Sequence, residues 1–362
     1  MIKKYILLLL LVLLSCSRNR NTIENVKEIN VGLNRNSIKA SDFIEKFEVI
    51  KLETNDSCLI GQISKIQYID DKIYLLDNNS VFVFNKDGRF DKKLSKRGGG
   101  PEEYIQIMDF EVRDGFLYVL DFSKQSILKY NLNLDFRERS RFATISTAFA
   151  VKDGNCWIYN EPGGTETDCR FSCIDFRNGD SKNFVPQKFN TCNYNWSDVN
   201  IFSSNSKDLF ASPKFGNTVY LVQKNSIEPV FQIRFDNDGF PENENICDYD
   251  ISSPNFNFVI KHNFYLSDKY LILEYFHKQK RYFCIHELAD GNTVSGIVEN
   301  DLIKDFRFFP RWGTANFLFD AVDAQYVTED FAFLSDYNEE IKSIKEDDNP
   351  VVVIYTLKTD SI

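Results

Sequence analysis

The chain has 362 residues, 43% of them hydrophobic, 15% aromatic and 27% charged, with a net charge of −10 and a mean hydropathy of −0.34. This composition fits a water-soluble globular body with a sizeable core. It excludes a general nucleic-acid binder, which needs a basic face to displace counterions from phosphates, and it disfavours docking of the body on an anionic bilayer.

At the N-terminus, Lys3 and Lys4 precede an unbroken apolar run from Tyr5 to Leu14. Spanning a bilayer takes about 20 apolar residues, so the run is too short, but it suits the apolar region of a secretory signal. Leu13-Leu14-Ser15-Cys16 then supplies a lipoprotein signal peptidase site, a small residue followed by a cysteine. Residues 1–15 therefore read as a lipoprotein signal peptide and Cys16 as the acylated first residue of the mature chain. Two or three acyl chains on one residue give stable membrane residence without crossing. Residues 16–41 begin Cys16-Ser17-Arg18-Asn19-Arg20-Asn21-Thr22 and read as a polar, lipid-anchored tether.

The seven cysteines beyond Cys16 are odd in number and scattered, which is not a disulfide framework. Cys169 and Cys173, four apart on one strand, would lie about 13 Å from each other, too far to bond. Buried free thiols are the expected state for most of the seven.

From residue 42 to 362 the chain is a succession of short Ile, Val, Phe, Tyr and Leu runs separated by Asp-Gly, Asn-Gly and Asn/Asp clusters, the pattern of strands and tight turns. Ile63–Asp77 aligns with Ile107–Asp121 at an offset of about 44 residues, each copy reading strand, Asp-containing turn, strand, Asp. A third copy begins at Ala148, and weaker ones follow around Leu209–Phe235 and Tyr270–Ile297. Four strands per repeat of this length mark propeller blades, and six fit the chain. The fold expected is all-β, a six-bladed β-propeller with four-stranded antiparallel blades. The last blade is expected to use Gln325–Val327, Phe331–Leu334 and Val351–Leu357, with Phe47–Leu52 closing the ring against it and removing an exposed edge. One short helix is expected around Asn338–Ile344.

Asn85–Tyr104, which contains Lys96-Arg97-Gly98-Gly99-Gly100-Pro101-Glu102-Glu103, resembles the segment between the first two blades of six-bladed β-propeller lipoproteins of Bacteroidota, relatives of NHL-repeat propellers. Glu346–Lys358 resembles their C-terminal strand. The resemblance implies an envelope location and a propeller fold, and carries little chemistry with it. In lipoproteins of that phylum, surface export goes with acidic residues after the acylated cysteine. Arg18 and Arg20 stand there instead, so the expectation is an outer-membrane lipoprotein facing the periplasm.

Lys96, Arg97, Gly98, Gly99, Gly100, Glu102 and Glu103 are candidate ligand contacts, because three glycine amides flanked by two cations suit an anion-binding nest. The competing reading is a tight blade-to-blade crossover with Glu102 or Glu103 bonded to backbone. Trp196 and Trp312 are candidate aromatic contacts for a sugar or peptide, whereas Trp157 sits in a strand pattern and reads as core. Asp77 and Asp121 read as turn-capping residues. The only histidines are His262, His277 and His286; their spacing suits no metal site. Glu274 and His277 would point to opposite faces of a strand. No catalytic residue stands out, and no cofactor is expected, although oxygen ligands suited to calcium are plentiful. The functional expectation is a non-catalytic binding or scaffold module, with an envelope protein or a glycan-derived ligand as partner. The alternative is a lyase or hydrolase with a carboxylate-lined, calcium-binding central channel.

Overall fold

The computed structural model describes residues 26–33, 36–161, 168–187, 200–236, 238–241 and 244–359. The signal peptide, Cys16, Cys192 and Trp196 lie outside the described residues. Those described form six sheets, five of them built on an up-and-down meander of four consecutive strands: blade I (Ile63–Leu94), II (Ile107–Arg141), III (Ser146–Pro186), IV (Phe202–Phe235) and V (Ile260–Glu299). Blade VI takes Trp312–Thr314, Phe317–Val322 and Val351–Leu357 from the C-terminal end, and its fourth strand, Ile44–Lys51, from the beginning of the domain. The expected ring closure is thus present, antiparallel, with Phe47 opposite Tyr355 and Val49 opposite Val353.

The near-continuous apolar runs of the sequence follow from burial on both sheet faces. In Lys72–Asp77, Ile73 and Leu75 pack toward blade VI, while Tyr74 and Leu76 pack toward blade II. In Phe116–Asp121, Leu117 and Val119 pack toward blade I, and Tyr118 and Leu120 toward blade III. The core is therefore six inter-blade layers, one at each junction of the ring. Trp157, expected in the core, is fully buried and donates from Nε1 to the Gln223 carbonyl at 3.0 Å.

Two details differ from expectation. Within residues 16–41, the strands β1 (Lys27–Val31) and β2 (Asn36–Lys39) add in parallel to the outer edges of blades IV and V. β1 alternates exposed Lys27, Glu28 and Asn30 with buried Ile29 and Val31, the pattern of an edge strand. From Lys27 onward the segment belongs to the ring. The second difference lies in blade VI: Gln325–Val327 and Phe331–Leu334 are not strands. They fall in helix α1 (Ala324–Glu329) and the 3-10 turn Ala332–Asp336. Another 3-10 turn, Glu339–Ser343, follows where a short helix was expected, its N-terminus capped by the Asn338 side chain. Val327, Leu334 and Ile341 are all buried in one core with blade VI. Each sits in its own short helical element, and together these elements cover blade VI.

Five of the described cysteines form no disulfide: Cys58, Cys156, Cys173 and Cys284 are buried and Cys169 is half-buried. Cys247 is disulfide-bonded, with its partner outside the described residues. It sits in the connection between blades IV and V, above a small aromatic core in which the rings of Phe240, Tyr249, Phe256 and Phe258 pack mostly edge to face.

Candidate functional site

The six inner strands run in the same direction, so one end of the ring collects their beginnings and the other the first hairpin turns, such as Asp70-Asp71, Asp114-Gly115 and Asp153-Gly154. Among the described residues, the ends of the blade-to-blade connections and the helical insertion of blade VI fall at the entry end. Long connections on a rigid scaffold are where binding residues concentrate. A cavity of about 550 Å³ opens there, lined by the first residues of inner strands from several blades. Its polar lining includes Lys65, Asn78, Asn79, Gln106, Asp109, Thr147, Asn200, Lys214 and Arg311, and Trp312 forms part of its apolar wall.

The charged groups of this mouth are held in place before any ligand arrives. Lys65 Nζ lies 2.6 Å from Asp109 Oδ1, Lys214 Nζ 2.9 Å from Glu161 Oε1, and Arg311 Nε 3.5 Å from Asp320 Oδ1. Arg311 also donates to the Ala321 carbonyl at 2.7 Å and stacks over the Trp312 ring at 4.3 Å. Trp312 is itself fixed by a bond from Nε1 to the Ser64 carbonyl, 2.9 Å. Burial pushes the Asp320 carboxyl up to about 7 against the pull of Arg311.

Deeper in the channel, polar side chains serve the fold. Inner strands of neighbouring blades do not pair, so their N–H groups need other acceptors. Gln67 accepts from Val112 N at 2.8 Å, Asp109 from Phe149 N at 3.2 Å, and Glu111 from Val151 N at 2.6 Å. Each bond runs from one blade to the next. Burial raises the pKa of Asp109 and Glu111, opposed by Lys65 and Arg113. The carboxylates of the expected acid-lined channel are thereby committed to cations and backbone amides. Asp77 and Asp121 act as the expected caps: Asp77 receives Gly61 N and Gln62 N at 2.8 and 3.0 Å, Asp121 Ile105 N and Gln106 N at 3.1 and 3.2 Å.

The glycine loop lies on the same face but outside the cavity lining, which resumes at Gln106. Its own acid occupies the nest: Glu103 Oε2 accepts from Gly100 N at 2.8 Å, and Gly98 N donates to the Tyr104 carbonyl at 2.9 Å. The carbonyls of Gly98, Gly100 and Glu103 surround the Lys124 ammonium at 3.1, 3.3 and 2.9 Å. Tyr130 donates to the Glu102 carbonyl, and the Lys96 ammonium lies 5.5 Å from the Tyr130 ring centre. Arg97 forms an isolated bridge with Tyr104, and Gly99 has open space around it. A side chain at Gly98 would collide with the Glu103 carboxylate and one at Gly100 would crowd it, so close approach is what these two glycines provide.

Glu274 and His277 go separate ways, as expected. Glu274 receives Arg281 Nε at 2.8 Å and faces His262 Nδ1 at 3.1 Å, whereas His277 lies 3.6 Å from Asp238. Among the described residues no group of three or more His, Cys, Asp or Glu is placed to hold a metal ion, and no helix is long and apolar enough to cross a membrane. Of the sequence candidates, Trp312 lines the cavity. Lys65 and Asn78 come from blade I, Gln106 from the start of blade II, Lys214 from blade IV and Arg311 from blade VI, and only the folded ring brings them together.

Six blades around a channel with one elaborated, polar mouth define a six-bladed β-propeller. Residues 26–356 match the model of a domain of unknown function, DUF4934, and the chain belongs to that family. A Bacteroides fragilis protein inferred to be exported has a similar structure, with a TM-score of 0.74 and 18% identity over 92% of this chain and 100% of that one. A DUF4221-family member from Bacteroides vulgatus is similar at a TM-score of 0.52 and 13% identity, over 87% and 97% of the two chains. No curated protein matches the sequence.

Proposed function

We propose that this protein is a non-catalytic binding module of the cell envelope, anchored by lipid at Cys16 and presenting the entry face of its ring to an envelope protein or a glycan-derived ligand. The observation that carries the reading is the mouth cavity, whose three cations are each fixed by a partner and whose remaining polar lining consists mostly of amides and hydroxyls. Such a preorganised, shallowly charged concavity suits recognition. An exported relative in fold, and a disulfide at Cys247 suited to an oxidising compartment, support the envelope location. The reading places the protein on the periplasmic side of the outer membrane, as a lipoprotein of the NHL-like propeller kind. Because β1 begins at Lys27, the free tether is short: about 10 residues, or at most about 35 Å fully extended.

The test is capture from detergent-solubilised envelope on the acylated protein, alongside a Lys214→Glu/Arg311→Glu double variant of native circular dichroism. A ligand or partner held by the wild type and lost from the variant is expected; identical retention by both would rule the mouth out.

A further inference from the structure

The charge of the mouth runs against the charge of the molecule. On a chain of net charge −10, three cations from blades I, IV and VI, Lys65, Lys214 and Arg311, line one cavity in which Asp109 is the sole carboxylate among the lining residues. Beside Arg311, the Phe309 ring is flanked by two further guanidiniums, Arg281 at 3.4 Å and Arg307 at 5.4 Å from its centre. Asp109 is consumed by Lys65 and by the amides of Phe110 and Phe149. Lys214 and Arg311 have their counter-ions, Glu161 and Asp320, outside the lining, so the cations rather than their carboxylates border the cavity.

Between the cations stand neutral groups that both donate and accept. Asn78 and Asn79 occupy a left-handed hairpin turn, φ 38° and 68°, which sets both amides on the rim. Asn79 Oδ1 accepts from Ile107 N at 2.9 Å, and among the described residues its amide nitrogen has no hydrogen-bond acceptor. Among the described residues the side chains of Asn78 and Gln106 have no hydrogen-bond partner, and Asn200 spends only its Nδ2, on the Phe264 carbonyl at 2.8 Å. Side-chain amides match hydroxyls, which likewise donate and accept. The cavity volume, about 550 Å³, is in the range of small-molecule sites.

We propose that this cavity binds an anionic, hydroxyl-rich small molecule the size of one or two sugar units, its anionic group against Lys214 and Arg311 and its hydroxyls on Asn78, Asn79, Gln106 and Asn200. This deepens the binding reading above and rests on it. Carboxylate and phosphate ligands share the chemistry, and the probes separate them.

The experiment is isothermal titration of the full acylated protein in detergent with glucuronate, glucose 6-phosphate and glucose. At least one anionic sugar is expected to bind at about millimolar strength or better, at least about tenfold more tightly than glucose. Glucuronate alone would assign a carboxylate, and glucose 6-phosphate alone a phosphoryl group. Lys214→Gln and Arg311→Gln should each weaken binding about tenfold, the loss of one charge-assisted hydrogen bond. Asn78→Ala, on the exposed rim, should weaken the sugar probes without altering the fold. Equal binding of glucose, binding indifferent to both cation variants, or no anionic binding up to about 10 mM would each overturn the proposal. Equal binding of glucose would leave the mouth a binding site while removing its preference for anions. Absence of all binding, with capture still lost in the double variant, would leave the module reading standing with a macromolecular partner.

Discussion

Lys261 lies on the inner strand of blade V with 2% of its surface exposed, and among the described residues its ammonium has no hydrogen-bond partner. Burial pulls its pKa down to about 7 from 10.5. The unfolded chain therefore holds a proton between about pH 7 and 10.5 that the folded chain has shed, and stability rises with pH across that window. Below it, the fold carries an unpaired buried charge, a cost of several kcal/mol. Lys261→Met is expected to raise the melting temperature by several degrees at pH 6 and by much less at pH 10; equal gains at both values would contradict the assignment. In the glycine loop, Glu103→Ala removes the acceptor of Gly100 N and should cost about 1–3 kcal/mol in a denaturant titration. If that substitution instead abolished ligand capture with stability unchanged, the loop would be a contact rather than a crossover.

The elements divide by how they are buried. Strands with two packed faces, such as Lys72–Asp77 and Phe116–Asp121, carry apolar runs that no other arrangement explains, and they were legible. The inner strands Phe202–Ser204 and Trp312–Thr314 are three residues long, too short for any periodicity, and were not. β1 and β2 are edge additions whose polar faces resemble a tether. Gln325–Leu334 misled because Val, Tyr and Phe favour strands locally, while Val327, Leu334 and Ile341 are buried from three short helical elements too brief to show a period. The mouth was legible only at Trp312, since its other residues converge from distant repeats. β2 also has a sharp structural dependence: a Cβ at Gly296 would strike the Asn36 backbone. Gly296→Ala should therefore detach β2, seen as accelerated hydrogen exchange at residues 36–39 with blades I to III unaffected. Unchanged protection there would refute the pairing.

At the scale of the whole molecule, the ring is held by six equivalent interfaces and one closure, in which Ile44–Lys51 covers the edge of Val351–Leu357. A chain starting at Leu52 would leave that edge open, and open edges recruit other chains. Such a truncation is expected to elute from size exclusion as oligomers; a stable monomer would mean that blade VI closes without its fourth strand. The same closed geometry gives the protein two unlike faces, a plain one of tight hairpin turns and an elaborated one around the cationic mouth. Hydrogen-exchange footprinting of the acylated protein with its captured ligand distinguishes them most directly. Protection is predicted at residues 106–109, 147–149 and 311–314, where the inner strands begin, and protection confined to the opposite turns at 70–71, 114–115 and 153–154 would contradict it.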